Sequence, residues 1–261
     1  MFHVKRHTPP PQSTMSKEDF FKLYKEIFKL NSLSEFCDDD IINKMHAMVE
    51  YMLEVNEYMN LTAITEPTEV IAKHLADSVA AARYIPQGAR ICDVGCGGGF
   101  PSLPLAIARP DITVLGIDST EKRINYVNES AKQLGLTNLT AIAGRAEDLS
   151  HSAELRESFD VCIARAVANL PVLAELCIPF VKKGGLFIAM KGRFDDEEST
   201  PSASACKKLG AEAPTPDNTH RFSLLTNSAS TDERSIIVLR KLATTDTKYP
   251  RNYSQIKKKS L

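Results

Sequence analysis

Apolar residues recur with helical spacing in the first third of the chain. In residues 16–30, SKEDFFKLYKEIFKL, they fall three or four positions apart, with acidic residues in the first turn and Lys29 near the end, as the helix dipole favours. The same spacing continues through 40–59, and a third helix is predicted over 68–84, after Pro67. None of these helices could bury its apolar face alone, so we expect them to form an N-terminal helical cap. The positions that define the first two faces are Phe20, Leu23, Tyr24, Ile27, Leu30, Ile41, Met45, Met48, Met52 and Leu53.

From Arg90 the pattern changes to short β-rich segments that alternate with helices. The predicted strands read RICDV, ITVLGI, LTAIA, FDVCIA and LFIAMK, and the predicted helices cover 101–109, 120–135, 146–156 and 169–181. Such alternation predicts a parallel sheet with right-handed crossovers. Gly135 and the pair Gly184 and Gly185 lie where helix C-caps are expected. After a helix near 195–210, HRFSLLT and RSIIVLRKL are joined by a polar loop, which predicts an antiparallel hairpin.

Five parallel strands followed by a hairpin are typical of the methyltransferase form of the Rossmann-like fold. We therefore predict an α/β protein with a mostly parallel seven-stranded sheet, a C-terminal antiparallel hairpin and an N-terminal helical cap. The predicted organisation is a flexible basic tail over 1–15, the cap over 16–85, a methyltransferase core over 86–243 and a basic C-terminal tail over 244–261.

Composition limits the function classes that remain open. The chain has 261 residues, of which 43% are hydrophobic, and a formal net charge of −1, so a nucleic-acid surface would have to be a local patch. No apolar run approaches the roughly 18 residues of a membrane span, and the N-terminus lacks the apolar region of a secretory signal. Six scattered cysteines form no CxxC pair, which indicates reduced core thiols in a cytoplasmic protein and no metal site.

A glycine-rich turn follows the first predicted strand, where ligands of parallel sheets bind. Asp93 to Gly99 reads D-x-G-x-G-x-G. No GxxxxGK[ST] occurs, and the dinucleotide pattern G-x-G-x-x-G fails because its third glycine would fall on Phe100 or Ser102. The observed form resembles motif I of S-adenosylmethionine (SAM) methyltransferases. The residues expected at the cofactor from this turn are Asp93, Gly95, Gly97, Gly99 and Phe100.

Acidic residues follow the next two predicted strands. Asp118 ends the second strand nineteen residues after Gly99, a spacing suited to binding ribose hydroxyls, and Ser119 beside it is also expected at the cofactor. Either residue could instead cap the next helix. After the third strand, GRAED places the Ala146 backbone and the Glu147 side chain at the adenine, with Asp148 as the alternative acid.

The methyl acceptor is suggested by motifs that the sequence lacks. Amine methylation typically uses [DN]-P-P-[YF] after the fourth strand, where this chain reads IARAVANL, and the cysteine of LCIPF lacks the Pro-Cys context of pyrimidine C5 methylation. An acceptor that is already nucleophilic, such as guanine N7, needs no such group. Positioning within ~3–3.5 Å would then replace general-base catalysis, so no obligate catalytic base is expected.

Seven short motifs occur in order: NLTAI, HLADS, DVGCGGGFP, IDSTEKR, GRAED, ARA and MKG. Together, over roughly 40–260, they resemble the ribosomal RNA small-subunit methyltransferase G (glucose-inhibited division protein B) family. The resemblance implies SAM-dependent methylation of guanine N7 in the 530 loop of 16S rRNA. It implies cofactor contacts from Gly95, Phe100, Ala146, Glu147 and Arg165, and RNA contacts from Lys122, Arg145, Lys191 and Arg251.

Several of these residues have alternative interpretations. His74, Asp77 and Ser78 share one helix face, which could be a structural network or could face RNA. Arg165 and Arg145 could form ion pairs instead of binding ligands. The cations Lys257, Lys258 and Lys259 are either a solvated terminus or contacts to phosphate.

The expected partner is 16S rRNA, the small ribosomal subunit or its assembly intermediate, with neither DNA nor a membrane involved and the protein acting as a monomer. Two alternatives stay open: a SAM methyltransferase acting on a small molecule or protein, and a non-catalytic SAM-binding protein that docks on the ribosome.

Overall fold

The computed structural model of the protein describes residues 15–165, 168–227 and 230–261. Of the tail predicted over 1–15, all but Met15 lies outside the described residues. Seven strands form one sheet in the order β3-β2-β1-β4-β5-β7-β6. The first five are parallel, and β7 runs antiparallel to both β5 and β6, which confirms the predicted fold. The strands are β1 (Arg90–Val94), β2 (Thr113–Asp118), β3 (Leu139–Ala143), β4 (Phe159–Arg165), β5 (Val181–Lys191), β6 (Thr219–Leu225) and β7 (Thr231–Arg240).

Helices precede the sheet and connect its strands. Residues 67–84 form one continuous helical stretch that passes through π-helical turns at Val70–Ala76 and ends in a 3₁₀ turn at Ala80–Tyr84. The other helices are α1 (Lys17–Leu30), α2 (Asp39–Met59), α3 (Ser102–Ala108), α4 (Glu121–Gln133), α5 (Ala146–Leu149), α6 (Leu170–Cys177), α7 (Asp196–Lys208) and α8 (Tyr253–Lys258). The three helices predicted before the sheet are thereby confirmed.

Helix α1 shows how local sequence sets the cap. The Ser16 side chain accepts a hydrogen bond from the Asp19 amide at 3.1 Å and caps the helix, which satisfies one of its free N–H groups. Phe28 is fully buried, whereas Leu30 is exposed, so the buried face is rotated slightly from the predicted one. The cap residues and one face of the sheet belong to a single apolar core. The boundaries predicted between domains stay a prediction.

The sheet is the middle layer of three. One face packs against α1, α2, the 67–84 stretch, α3 and α4. The other face packs against α6, α7 and α8. Because β1 and β4 lie near the centre and are covered on both sides, their interior positions are apolar. Their charged residues lie toward the ends: Arg90 and Asp160 at the amino ends, and Asp93 and Arg165 toward the carboxyl ends.

The helix predicted over 146–156 is wrong in extent, because α5 ends at Leu149. Residues beyond it form hydrogen-bonded turns in which the Arg156 guanidinium donates to the carbonyls of Thr245 and Tyr249 at 2.9 and 3.0 Å. Hydrogen bonds from Arg156 to the segment after β7 therefore prevail over the weak helical pattern of residues 150–156.

The helix C-cap predicted at Gly184 and Gly185 is also wrong, whereas Gly135 does follow α4 with a φ of +65°. Gly184 has a φ of +85° and lies within β5, where its amide donates to the Lys241 carbonyl at 2.8 Å. A Cβ on Gly185 would lie 2.6 Å from the Asp160 carbonyl oxygen. The two glycines thus allow an irregular backbone within β5. Helix α6 has already ended before them, at Cys177.

All six cysteines are free thiols, and all but Cys37 are buried, as expected for packing residues. Among the helices that the structure describes, none is long and apolar enough to cross a membrane.

The segment after β7, predicted as a basic tail, is fastened to helix α6 by an ion pair with a buried carboxylate. Glu175 on α6 has a side chain with 0% exposure. Its carboxylate accepts hydrogen bonds from the Arg251 amide at 2.9 Å, Nε at 2.8 Å and Nη2 at 2.6 Å. Ile256 on α8 is buried in the same core, so this segment is part of the fold.

Replacing Arg251 with alanine is expected to lower the free energy of unfolding by about 3 kcal/mol, because a buried carboxylate loses its partner. Urea unfolding followed by circular dichroism measures this loss. As a control, Lys25→Ala removes an exposed pair with Asp39, whose side chains are 50% and 72% exposed, and should cost less than about 1 kcal/mol. Similar losses in the two variants would show that Glu175 does not depend on Arg251.

Candidate active site

The turn after β1 is held against β2 by backbone hydrogen bonds. The amides of Gly95 and Cys96 both donate to the Ile117 carbonyl, at 2.7 and 3.0 Å. Gly95, Gly97 and Gly99 have φ values of +78°, +53° and +84°, a region that L side chains rarely adopt. Glycine is therefore required at these positions for conformation, and Gly95 also leaves the neighbouring cavity free of a side chain.

Asp118 links this turn to the end of β2. Its Oδ2 accepts from the Gly97 amide at 3.1 Å, and its Oδ1 accepts from the Thr120 amide at 2.8 Å. Arg123 lies 3.8 Å from Oδ2. Each carboxylate oxygen keeps a further lone pair. The Asp118 carboxylate thus holds the turn before α4 and can also accept from a ligand. The N-cap of α4 is Thr120, and not Asp118 or Ser119 as the alternative interpretation had it.

A cavity of about 280 Å³ opens beside these residues, at the carboxyl ends of β1, β2 and β3. We call it the donor cavity. Of the residues predicted to bind the cofactor, those that line it are Gly95, Asp118, Ser119, Ala146 and Glu147. It also contains Arg145, whose Nε lies 2.5 Å from Glu147 Oε1, so the predicted salt bridge forms within the cavity wall. The cavity combines carboxylates that can accept hydrogen bonds from ribose hydroxyls with apolar surface that can cover a base. This combination suits a nucleoside.

A second cavity, of about 260 Å³, lies at the carboxyl ends of β4 and β5 against the 67–84 stretch. We call it the acceptor cavity. Asp77 lies in its wall and bridges two arginines: Arg165 Nη1 is 3.0 Å from Oδ2 and Arg234 Nε is 3.2 Å from Oδ1. Lys73 and Lys191 are also in the wall. Each is paired with a neighbouring carboxylate, Lys73 with Glu69 at 2.8 Å and Lys191 with Glu198 at 2.7 Å, so the cavity is lined by ion pairs.

Phe100, at the end of the glycine turn, packs against two residues of the acceptor cavity, His74 and Arg165. Its ring stacks on His74, with centroids 4.4 Å apart and planes at 16°, and the Arg165 guanidinium lies 5.3 Å from its centre. His74 accepts or donates a hydrogen bond at Nε2 with Thr62 Oγ1, 2.7 Å away. Burial, reinforced by the nearby Arg165, lowers the pKa of His74 to about 4. The stack is therefore uncharged apart from Arg165 at neutral pH.

Asp93, the penultimate residue of β1, is fully buried. Its Oδ2 accepts from Ser102 Oγ at 2.5 Å, while Oδ1 has no hydrogen-bond partner within the described part of the chain. Burial raises the pKa of this carboxyl to about 6, although the Ser102 hydrogen bond opposes the shift. An unpaired buried acceptor is costly, and the ammonium of a SAM molecule would satisfy it. The site therefore fits that cofactor.

The predicted RNA contacts are scattered. Lys122 is exposed at the start of α4, whereas Lys191 Nζ pairs with Glu198 at 2.7 Å. Arg251 directs its guanidinium at Glu175 and not at a surface where phosphate would bind. His74 is held in the Phe100 stack.

Other residues of the two cavities were not among those predicted from the sequence. Thr120, Arg123, Leu176 and Tyr253 line the donor cavity, and Arg234 lines the acceptor cavity. Thr120 and Arg123 follow a recognised strand end and could have been found by extending that rule. Tyr253 and Arg234 come from distant segments that only the three-dimensional fold brings to the site.

Solved structures share this architecture. An O-methyltransferase from Bacillus cereus, solved in complex with SAH, has a TM-score of 0.51 at 18% identity, with 74% of this chain and 91% of that chain covered. NSun6 from Pyrococcus horikoshii has a TM-score of 0.52 at 16% identity, covering 70% of this chain and 57% of that one. These likenesses show the fold, which is that of the class I SAM-dependent methyltransferases.

Sequence relatives give the family. The profile for rRNA small subunit methyltransferase G (GidB) matches residues 41–221. Proteins named ribosomal RNA small subunit methyltransferase G are similar over most of their length. The Bacillus subtilis protein is 44% identical over 77% of this chain and 83% of its own, and the Lactobacillus delbrueckii protein is 39% identical over 92% and 96%. The chain belongs to this family.

Asp118→Ala is expected to weaken binding of S-adenosylhomocysteine (SAH) at least tenfold, because the loss of charge-assisted hydrogen bonds costs ~1.5–3 kcal/mol. Isothermal titration calorimetry measures the affinity. Asp148→Ala removes the acid that the sequence left as an alternative and that does not line the cavity, and it should bind like the parent. An unchanged affinity in Asp118→Ala would place the ribose elsewhere.

Proposed function

We propose that this protein transfers a methyl group from SAM to N7 of a guanine in the 530 loop of 16S rRNA. The observation that carries the proposal is the pair of cavities at adjacent strand ends, with Phe100, which ends the glycine turn, stacked on His74 in the wall of the acceptor cavity. Membership of the rRNA small subunit methyltransferase G family supports the choice of acceptor. We also propose that the protein acts as a cytoplasmic monomer.

The donor cavity holds the cofactor by three kinds of contact. Asp118 accepts from the ribose hydroxyls, the Ala146 backbone and Glu147 meet the adenine, and Asp93 Oδ1 accepts from the ammonium. The bare backbone at Gly95 allows close approach to the ligand. When bound, SAM supplies a methyl group on a positively charged sulfur.

The acceptor cavity receives the nucleotide. Asp77 fixes Arg165 and Arg234 in place through its two oxygens, so that their charges face an anionic RNA strand without being free to rotate away. Lys73 lies beside them and pairs with Glu69 and Asp232, so in this proposal the ion pairs of the cavity open toward phosphate when RNA binds. Phe100 and His74 provide a flat surface that excludes water and against which a base can be oriented.

The acceptor chemistry requires no proton to be removed. Guanine N7 has an in-plane lone pair, so orientation toward the methyl group is the main contribution of the protein. His74 is the imidazole of the Phe100 stack. It stays neutral above about pH 5, because its pKa is about 4. The prediction that no residue acts as an obligate base remains open to test.

Methyl transfer to 16S rRNA tests the proposal directly. Purified protein is incubated with tritiated SAM and with either free 16S rRNA or small subunits from cells that lack the gene, and mass spectrometry maps the product. We expect one N7-methylguanine in the 530 loop. As a control, a 530-loop RNA with 7-deazaguanine at the target should accept no methyl group. Methylation elsewhere, or none on either form of the rRNA, would contradict the proposal.

The pH dependence of kcat/KM tests the role of His74. Because the buried imidazole is already deprotonated above about pH 5, His74 should add no rising limb between about pH 6 and 8. Any limb near pH 6 should come from Asp93, whose pKa is about 6, and should be the same in His74→Asn. A limb near the ordinary histidine pKa of ~6.5 that disappears in His74→Asn would show that the imidazole acts as a base. The same limb in both proteins would assign it to another group.

A further inference from the structure

The C-terminal segment 249–258 brings an aromatic ring to the donor cavity. Tyr253 is the first residue of α8 and lines the cavity opposite the strand ends. The residue is 38% exposed, so its ring is only partly covered by the protein. A partly open aromatic face at a nucleoside cavity is available for stacking on a base.

The position of this ring is fixed by its neighbours in the chain. Asn252 caps α8, because its Oδ1 accepts from the Gln255 amide at 3.0 Å. Ile256, three residues after Tyr253, is fully buried, and residues three apart share a helix face. Arg251 holds the start of the segment through the buried Glu175 carboxylate. Tyr253 is therefore delivered to the cavity by a rigid anchor.

The ring also contacts the part of the site that meets the adenine. The Arg145 guanidinium lies 5.0 Å from the centre of the Tyr253 ring and makes a cation–π contact with it. The same arginine pairs with Glu147 in the cavity wall. The C-terminal ring and the turn after β3 thus form adjoining walls of one cavity.

We propose that Tyr253 stacks on the adenine of the bound cofactor, so that the C-terminal segment completes the cofactor site. The inference rests on the proposed function only in taking SAM as the ligand. It assigns the segment to nucleoside binding, in contrast to the two interpretations of the basic tail as a solvated terminus or a phosphate contact.

The experiment compares SAH and adenosine binding to the full-length parent protein and to Tyr253→Ala, Tyr253→Leu and Tyr253→Phe. Calorimetry gives the affinities, and thermal unfolding without ligand reports the fold. Loss of the ring should weaken both ligands about tenfold, or ~1.4 kcal/mol, in the Ala and Leu variants. The Phe variant keeps the ring and should bind within about twofold of the parent. Equal losses for SAH and adenosine would locate the effect at the nucleoside.

The matched control is Tyr58→Ala, which removes a tyrosine that is 70% exposed at the end of α2 and lines neither cavity. Parent-like affinity in both the Ala and Leu variants would overturn the inference, as would a similar loss in Tyr58→Ala. So would weakening that appears only in the KM for rRNA, since the ring would then face the RNA. If the parent itself did not bind SAH, the proposed function would fail before Tyr253 was tested.

Discussion

The structure depends on the reversal of the backbone where β1 ends. The chain must turn at the carboxyl ends of β1 and β2 without placing side chains in the donor cavity. The left-handed conformations of Gly95, Gly97 and Gly99 make this possible. Hydrogen bonds to the Ile117 carbonyl and the Asp118 carboxylate fix the turn to the neighbouring strand. The same contacts thus stabilise the fold and form the donor cavity, while the chain that continues from the turn supplies Phe100 to the acceptor side.

Features encoded by local patterns could be predicted from the sequence. Short apolar strands alternating with helices predicted the parallel sheet, and the polar loop before β7 predicted the hairpin. Parallel strands end at one edge of a sheet, so the turn after β1, Asp118 and the GRAED segment could be brought together without knowledge of the coordinates. Local chemistry and the topology of the sheet therefore sufficed for much of the donor cavity.

Features that depend on distant contacts could not be predicted in this way. Helix α5 stops early because Arg156 bonds to carbonyls nearly a hundred residues away. Gly184 was predicted to end a helix, because its actual role in β5 depends on a hydrogen bond to Lys241 that the local sequence does not reveal. Arg251 was expected to contact RNA, whereas the fold places its guanidinium against the buried Glu175 carboxylate. Tyr253 and Arg234 carry no motif and reach the site only because the C-terminal part of the chain folds back on the sheet.

A crystal structure of the full-length protein with bound SAH tests the central claim most directly. The account predicts that the nucleoside occupies the cavity between Gly95, Asp118 and Ala146, with the ribose hydroxyls on the Asp118 carboxylate and little movement of the glycine turn. A nucleoside bound outside this cavity, or a turn that has to rearrange in order to admit it, would contradict the account.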